Sequence, residues 1–128
     1  MKKLLALLPV FALASCATSP LSPPAQAGTV DHVVLMWLKR PGNLEDKLAL
    51  AKAARELRAI PGTVIFDHGT ALKSDRPVVD DSFDFALISR FQSSEALHAY
   101  ETHPLHVQKV NEVIKPLSKK ILVYDVTH

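Results

Sequence analysis

The stretch Val30-Asp31-His32-Val33-Val34-Leu35-Met36-Trp37-Leu38-Lys39 decides the fold. It is rich in β-branched and large apolar residues and reads as a strand. Side chains along a strand alternate between its two faces. One face carries Val30, His32, Val34, Met36 and Leu38; the other carries Asp31, Val33, Leu35, Trp37 and Lys39. Both are apolar along most of their length, so this strand has to be covered twice. His32 faces packed surroundings, where a hydrogen-bonded core histidine is the first expectation and a ligand-binding one the second.

Downstream, Arg40-Pro-Gly-Asn43 is a turn. Asn43 offers an N-cap, with Glu45 and Asp46 placed favourably in the first turn of a helix over 44–59. Leu44, Leu48 and Ala51, with Leu50, Ala54 and Leu57, give that helix a broad apolar side, and Ile60-Pro-Gly62 terminates it. A second strand is expected over 63–72, followed by a polar loop over 73–81. A third strand is expected over 82–91, with Phe83, Phe85, Leu87 and Phe91 on one face. Asp80 and Asp81 lie in the loop, where solvation is their expected fate.

The next segment carries most of the groups suited to proton chemistry: His98-Ala-Tyr-Glu-Thr-His-Pro-Leu-His-Val107. Pro104 lacks an N–H and clashes with the preceding turn, yet suits a first helical position. A short helix over 95–101, capped from within Gln92-Ser-Ser94, therefore ends before it. A last helix starts at Pro104 and stops at Pro116. Two readings of the corner stand. Either Tyr100 and His106 share a pocket as acid and base, or Tyr100 packs and the histidines cap helix ends or face solvent. His103 and His106 stand at i and i+3, but no third ligand is in view, so no metal or other cofactor is expected. A fourth strand over 119–126 closes the chain.

The order β-α-β-β-α-β is the α+β, ferredoxin-like pattern, with helices on one face of an antiparallel sheet. A second apolar face calls for a cover, and the simplest is an identical sheet. Two four-stranded sheets closing together make an α+β barrel, so a homodimer is expected.

At this point the body resembles the stress-responsive A/B barrel (Dabb) family of dimeric α+β barrels. The resemblance rests on Asp31-His-Val-Val-Leu-Met-Trp-Leu-Lys39, Ile60-Pro-Gly62, Phe83-Asp-Phe-Ala-Leu-Ile88 running into Phe91, His103-Pro-Leu-His106 and Ile121-Leu-Val-Tyr-Asp125. An enzyme of that family, the plant olivetolic acid cyclase, uses a His of the His-Pro-x-His segment and a Tyr six residues earlier for an aldol condensation. His106 and Tyr100 match those positions, which implies catalytic roles for them. His32 matches a strand-1 pocket histidine, and His103 is implied as a further pocket residue. Ala53 stands where the cyclase has a tyrosine, and Phe85 where it has a histidine. The resemblance thus implies a more apolar pocket, with Phe85 in its wall.

The N-terminus reads as a targeting signal. Lys2 and Lys3 precede an apolar run over 4–14, too short to span a bilayer, and Leu13-Ala-Ser-Cys16 resembles the lipobox of bacterial lipoproteins. The expected organisation is a signal peptide over 1–15, a lipidated Cys16 with a tether over 16–29, and a folded domain over 30–128. Pro20, Pro23 and Pro24 deny the tether regular structure, and its mean reach is about 20 Å. Cys16 is the single cysteine, so no intrachain disulfide forms. The implied location is the bacterial cell envelope, anchored in the outer membrane and facing the periplasm. Removing Lys2 and Lys3 from the 15 basic residues leaves 13, equal to the 13 acidic ones. The domain has no basic stripe, which argues against nucleic-acid binding. Three functions remain: a dimer binding a small apolar molecule between helices and sheet, a His/Tyr acid–base enzyme of the cyclase type, or a stress-linked structural dimer without ligand.

Overall fold

β1 (Val30–Leu38) is hydrogen-bonded along both edges in the computed structural model, which describes residues 25–128. The expected signal peptide, Cys16 and tether residues 17–24 lie outside the described residues. After β1 come α1 (Leu44–Leu57), β2 (Thr63–Gly69), β3 (Phe85–Phe91), α2 (Ser94–Glu101), α3 (Pro104–Lys109), a π-helical turn (Val110–Ile114), α4 (Lys115–Leu117) and β4 (Ser118–Thr127). The sheet order is β2-β3-β1-β4, every pair antiparallel. This is the ferredoxin-like α+β fold.

The helix starts follow from local chemistry. Asn43 Oδ1 accepts from Asp46 N–H at 3.0 Å, and Ser93 Oγ accepts from Ala96 N–H at 3.2 Å. Each side chain satisfies a donor that the first turn would otherwise leave open. α1 ends at Leu57 rather than Ala59 because the chain tightens there. Ala59 N–H donates to Glu56 O and Ile60 N–H to Leu57 O, after which Pro61 stops propagation. Pro104 opens α3 as expected.

β2 stops at Gly69 rather than at residue 72, and two further expectations need correction. The last helix does not end at Pro116 but includes it, widening over Val110–Ile114 first. A proline clashes with the carbonyl four residues back, here that of Glu112, and the wider turn relieves the clash. The third strand starts at Phe85, not Ser82, because Asp84 is diverted to hold the β1–α1 turn. Its carboxylate accepts from Leu38 N–H at 2.8 Å and Gly42 N–H at 2.6 Å.

Pairing sets each rung of the sheet. On the helix side Met36 stands between Phe85 and Ile121, Val34 between Leu87 and Val123, and His32 between Ser89 and Asp125. The helices seal the β1–β3 part of this face, and Met36, Leu38, Leu50, Leu57, Phe91 and Tyr100 are essentially inaccessible. On the opposite face Val33 stands between Ile88 and Tyr124, and Leu35 between Ala86 and Leu122. Ile88, Tyr124 and Val126 remain about half exposed there. Trp37 shares that face yet is sheltered within its own chain. Its Nε1–H donates to Ser82 Oγ at 2.9 Å, Phe83 meets it edge-on, and Lys120 Nζ sits 4.1 Å over the ring.

The turn after α1 provides a stability test. Gly62 has φ +97°, and a Cβ there would lie 3.3 Å from Ala96 Cβ on α2. Gly42 also has positive φ, at +73°, but a Cβ would meet nothing within 4 Å. Left-handed backbone costs a residue with a Cβ roughly 1–2 kcal/mol. Gly62→Ala is therefore expected to lower stability by more than Gly42→Ala in denaturant melts, the difference reporting the crowding against α2.

Candidate functional site

The outer part of β4 has no helix over it, and the cleft follows from that. Val123 and Ile121 point to the helix side but stay 43% and 37% exposed. Together with Val34 and Leu87 they floor a cleft of about 460 Å³. The π-helical turn supplies its roof through Val110 and Ile114. That volume lies within the range of small-molecule sites, and the walls are largely apolar, with His32, Tyr100, Glu101, His106 and Asp125 gathered together.

α2 and α3 deliver the polar groups, brought around the Pro104 corner onto the His32 rung. Tyr100 is buried, its ring 4.8 Å from that of Phe91 and 4.6 Å from that of His106, centroid to centroid. His32 presents its ring 6.3 Å from Tyr100. No described residue hydrogen-bonds the Tyr100 hydroxyl. His106 Nδ1–H donates to the backbone carbonyl of Glu101 at 2.9 Å. A carbonyl can only accept, so this bond assigns the proton to Nδ1 and leaves the lone pair on Nε2. His32 Nδ1–H donates to Asp125 Oδ1 at 2.6 Å.

Burial governs the protonation of the pair. Desolvation, with a further contribution from His32, pushes the His106 imidazole below its usual value, and the Glu101 carbonyl opposes this only in part. His106 is therefore neutral at pH 7. Desolvation, helped by the Glu101 charge, pushes the Tyr100 phenol well above its usual value of 10.0 and keeps it a hydrogen-bond donor. A neutral imidazole with a free lone pair beside an un-ionised phenol can accept one proton and donate another to a bound oxygen.

The predicted site residues fall into two groups. Tyr100, His106 and His32 line the cleft together. His103 and Phe85 do not. His103 is the N-cap of α3, its Nδ1 accepting from Leu105 N–H at 3.2 Å. Phe85 is buried under His68, their ring centroids 5.4 Å apart. Ala53 also lies elsewhere, against the π-helical turn. Three polar groups on the cleft wall escaped the sequence analysis, Glu101, Lys115 and Asp125. Asp125 alternates with Ile121 and Val123, so its face was readable, but its pairing with His32 depends on the β1–β4 register.

A family model described as Stress responsive A/B Barrel Domain matches residues 30–128. A ferredoxin-like Dabb family protein from Mesorhizobium loti superposes with a TM-score of 0.65 at 30% identity, covering 79% of this chain and 97% of that one. A dimeric ferredoxin-like protein from Thermobifida fusca gives 0.65 at 19% identity, over 81% and 94% of the two chains. The hydroxynitrile lyase of Passiflora edulis gives 0.66 at 21% identity, over 83% and 95%. The last two likenesses concern the fold. No curated protein matches the chain in sequence.

The buried phenol makes a measurable prediction. In a Tyr124→Phe variant, which leaves Tyr100 as the one tyrosine, no phenolate absorbance should develop at pH 10 while the domain stays folded. A folded-state pKa raised above the unfolded value contributes stability that is present below pH 10 and lost as pH rises beyond it. Ionisation should therefore coincide with alkaline unfolding, followed by ultraviolet absorbance and circular dichroism on one sample.

Proposed function

The chain belongs to the stress-responsive A/B barrel family, and we propose that it is a lipid-anchored homodimer binding a small, largely apolar molecule that carries a carbonyl or phenolic oxygen. The observation that carries this reading is the apolar cleft of about 460 Å³ with Tyr100, His106 and His32 at one end. The apolar walls take the body of the molecule, and the Tyr100 hydroxyl and His106 Nε2 fix its oxygen. The proposed dimer closes the half-exposed face around Val33, Leu35, Ile88 and Tyr124 with a second copy of the same sheet. The dimeric ferredoxin-like relative from Thermobifida fusca supports that arrangement. Cys16, following the apolar run over 4–14, supports the proposed anchor and with it a location in the cell envelope.

The neutral His106 beside the protonated Tyr100 supports a second reading, that of an enzyme. There His106 Nε2 removes a proton next to a carbonyl, and the Tyr100 hydroxyl donates to the oxygen on which charge develops. The Passiflora edulis relative is a hydroxynitrile lyase, but cyanohydrin chemistry is not carried over to this chain.

Screening small phenols and aryl ketones for thermal stabilisation of the full chain tests the first reading. A hit at a hundred times its Kd adds about 2.7 kcal/mol. His106→Ala and Tyr100→Phe should each remove most of that stabilisation while leaving the unliganded domain folded, and the double variant should lose less than the sum. If neither substitution alters binding, the cleft reading fails.

Two further outcomes are expected. Leu35→Lys puts an unpaired charge into the proposed sheet–sheet interface and should yield monomers in sedimentation. Cys16→Ser should move the protein from the membrane fraction to the soluble one.

A further inference from the structure

We propose that His32, Asp125 and Glu101 form a binding site for a divalent transition-metal ion of the zinc class at the polar end of the cleft. One ligand atom from each residue lies within 4.8 Å of the other two. Donor atoms around a tetrahedral zinc ion sit about 3.4 Å apart. His32 Nδ1 and Asp125 Oδ1, now 2.6 Å apart, have to part slightly, while Glu101 closes in. Glu101 is the last residue of α2 and is exposed, so its side chain can turn without disturbing the core.

The cluster is more than a group of surface acids. His32 is 7% exposed and stands on the central strand, its backbone held by β3 on one side and β4 on the other. It is a rigid anchor that needs no ordering when an ion arrives. Neither carboxylate has a Lys or Arg partner among the described residues. Lys115 is a cation on the cleft wall, and its ammonium donates to Asn111 Oδ1. Two carboxylates therefore converge on one imidazole with no other charge to balance them.

Ligand chemistry selects the metal. An imidazole with two carboxylates suits zinc, cobalt or manganese, whereas calcium and magnesium sites are built from oxygen donors alone. Three protein ligands leave at least one coordination position free. In the metal-free state the Nδ1 proton of His32 bridges to Asp125. On binding that proton passes by way of solvent to Nε2, so the ring stays a neutral imidazole and the freed Nδ1 lone pair takes the ion. The other two histidines near the corner are committed elsewhere, His103 to its cap and His106 Nδ1 to the Glu101 carbonyl.

The test uses the full chain carrying Cys16→Ser, which removes its single thiol as a competing ligand. Zn²⁺ is titrated calorimetrically into metal-free protein with no organic ligand present, so the result stands apart from the cleft reading. One ion per chain is expected, with affinity falling at least ~10-fold in both Glu101→Gln and Asp125→Asn. His68→Gln, which alters a histidine outside the cleft, should bind as before. No binding, or unchanged affinity in both carboxylate variants, overturns the site. Co²⁺ added to the chain with all three ligands intact gives an independent reading by NMR. The His32 imidazole signals should move most, and movement of another histidine with His32 unaffected overturns the site as well.

Discussion

The domain depends on one constraint: β1 is hydrogen-bonded along both edges, and both of its faces are apolar. A strand held this way cannot slip by one residue without exchanging its faces. The register puts Met36, Val34 and His32 in sequence under the helices, each paired to a β3 residue and a β4 residue. Two of the three rungs are wholly apolar. The third, Ser89–His32–Asp125, is polar, and it sits beneath the corner where Pro104 breaks the helical path. Site and core therefore have one origin. The alternation that buries Met36 also presents His32 to Tyr100.

The cleft exists because three helical segments cannot cover four strands. α1 and α2 seal β1 and β3, while the stretch from Pro104 to Leu117 crosses toward β4 and leaves Val123 and Ile121 open. Pro116 contributes at a distance, because the wide turn over Val110–Ile114 that precedes it presents Val110 and Ile114 to the cleft. A continuous α-helix would turn these residues by a different angle. One proline thus opens the corner that carries His106, and another accompanies the turn that shapes the roof.

Much of this was legible in the residues, for reasons that can be stated. Asn43, Ser93 and Pro104 act within a few residues of themselves, so the helix starts follow from local chemistry. Strand 1 could be read because alternation is also local. What stayed hidden is long-range. Asp84 holds the turn at Leu38 and Gly42 across more than forty positions, and it shortens β3 in doing so. Asp125 meets His32 across 93 positions, and only the pairing of β1 with β4 reveals it. His103 was expected as a further pocket residue. Two residues along a helix start, however, separate an N-cap from a side chain facing the sheet, and the cap claimed His103. The expectations for the extreme N-terminus around Cys16 rest on composition alone and lie outside the described residues.

Burial and chemistry are coupled most tightly at Tyr100. Its ring touches Phe91, Phe66 and His106, so it belongs to the core by contact while also lining the cleft. Desolvation that stabilises the packed ring also forbids the phenolate, and the same desolvation keeps His106 unprotonated. The two effects reinforce one another at neutral pH: a donor that cannot lose its proton stands beside an acceptor that does not already carry one. An exposed Tyr/His pair would have ordinary proton affinities. The buried rings of Phe66 and Phe91 are therefore part of the polar chemistry, because they help supply the low-dielectric surroundings in which the Tyr100 protonation state holds.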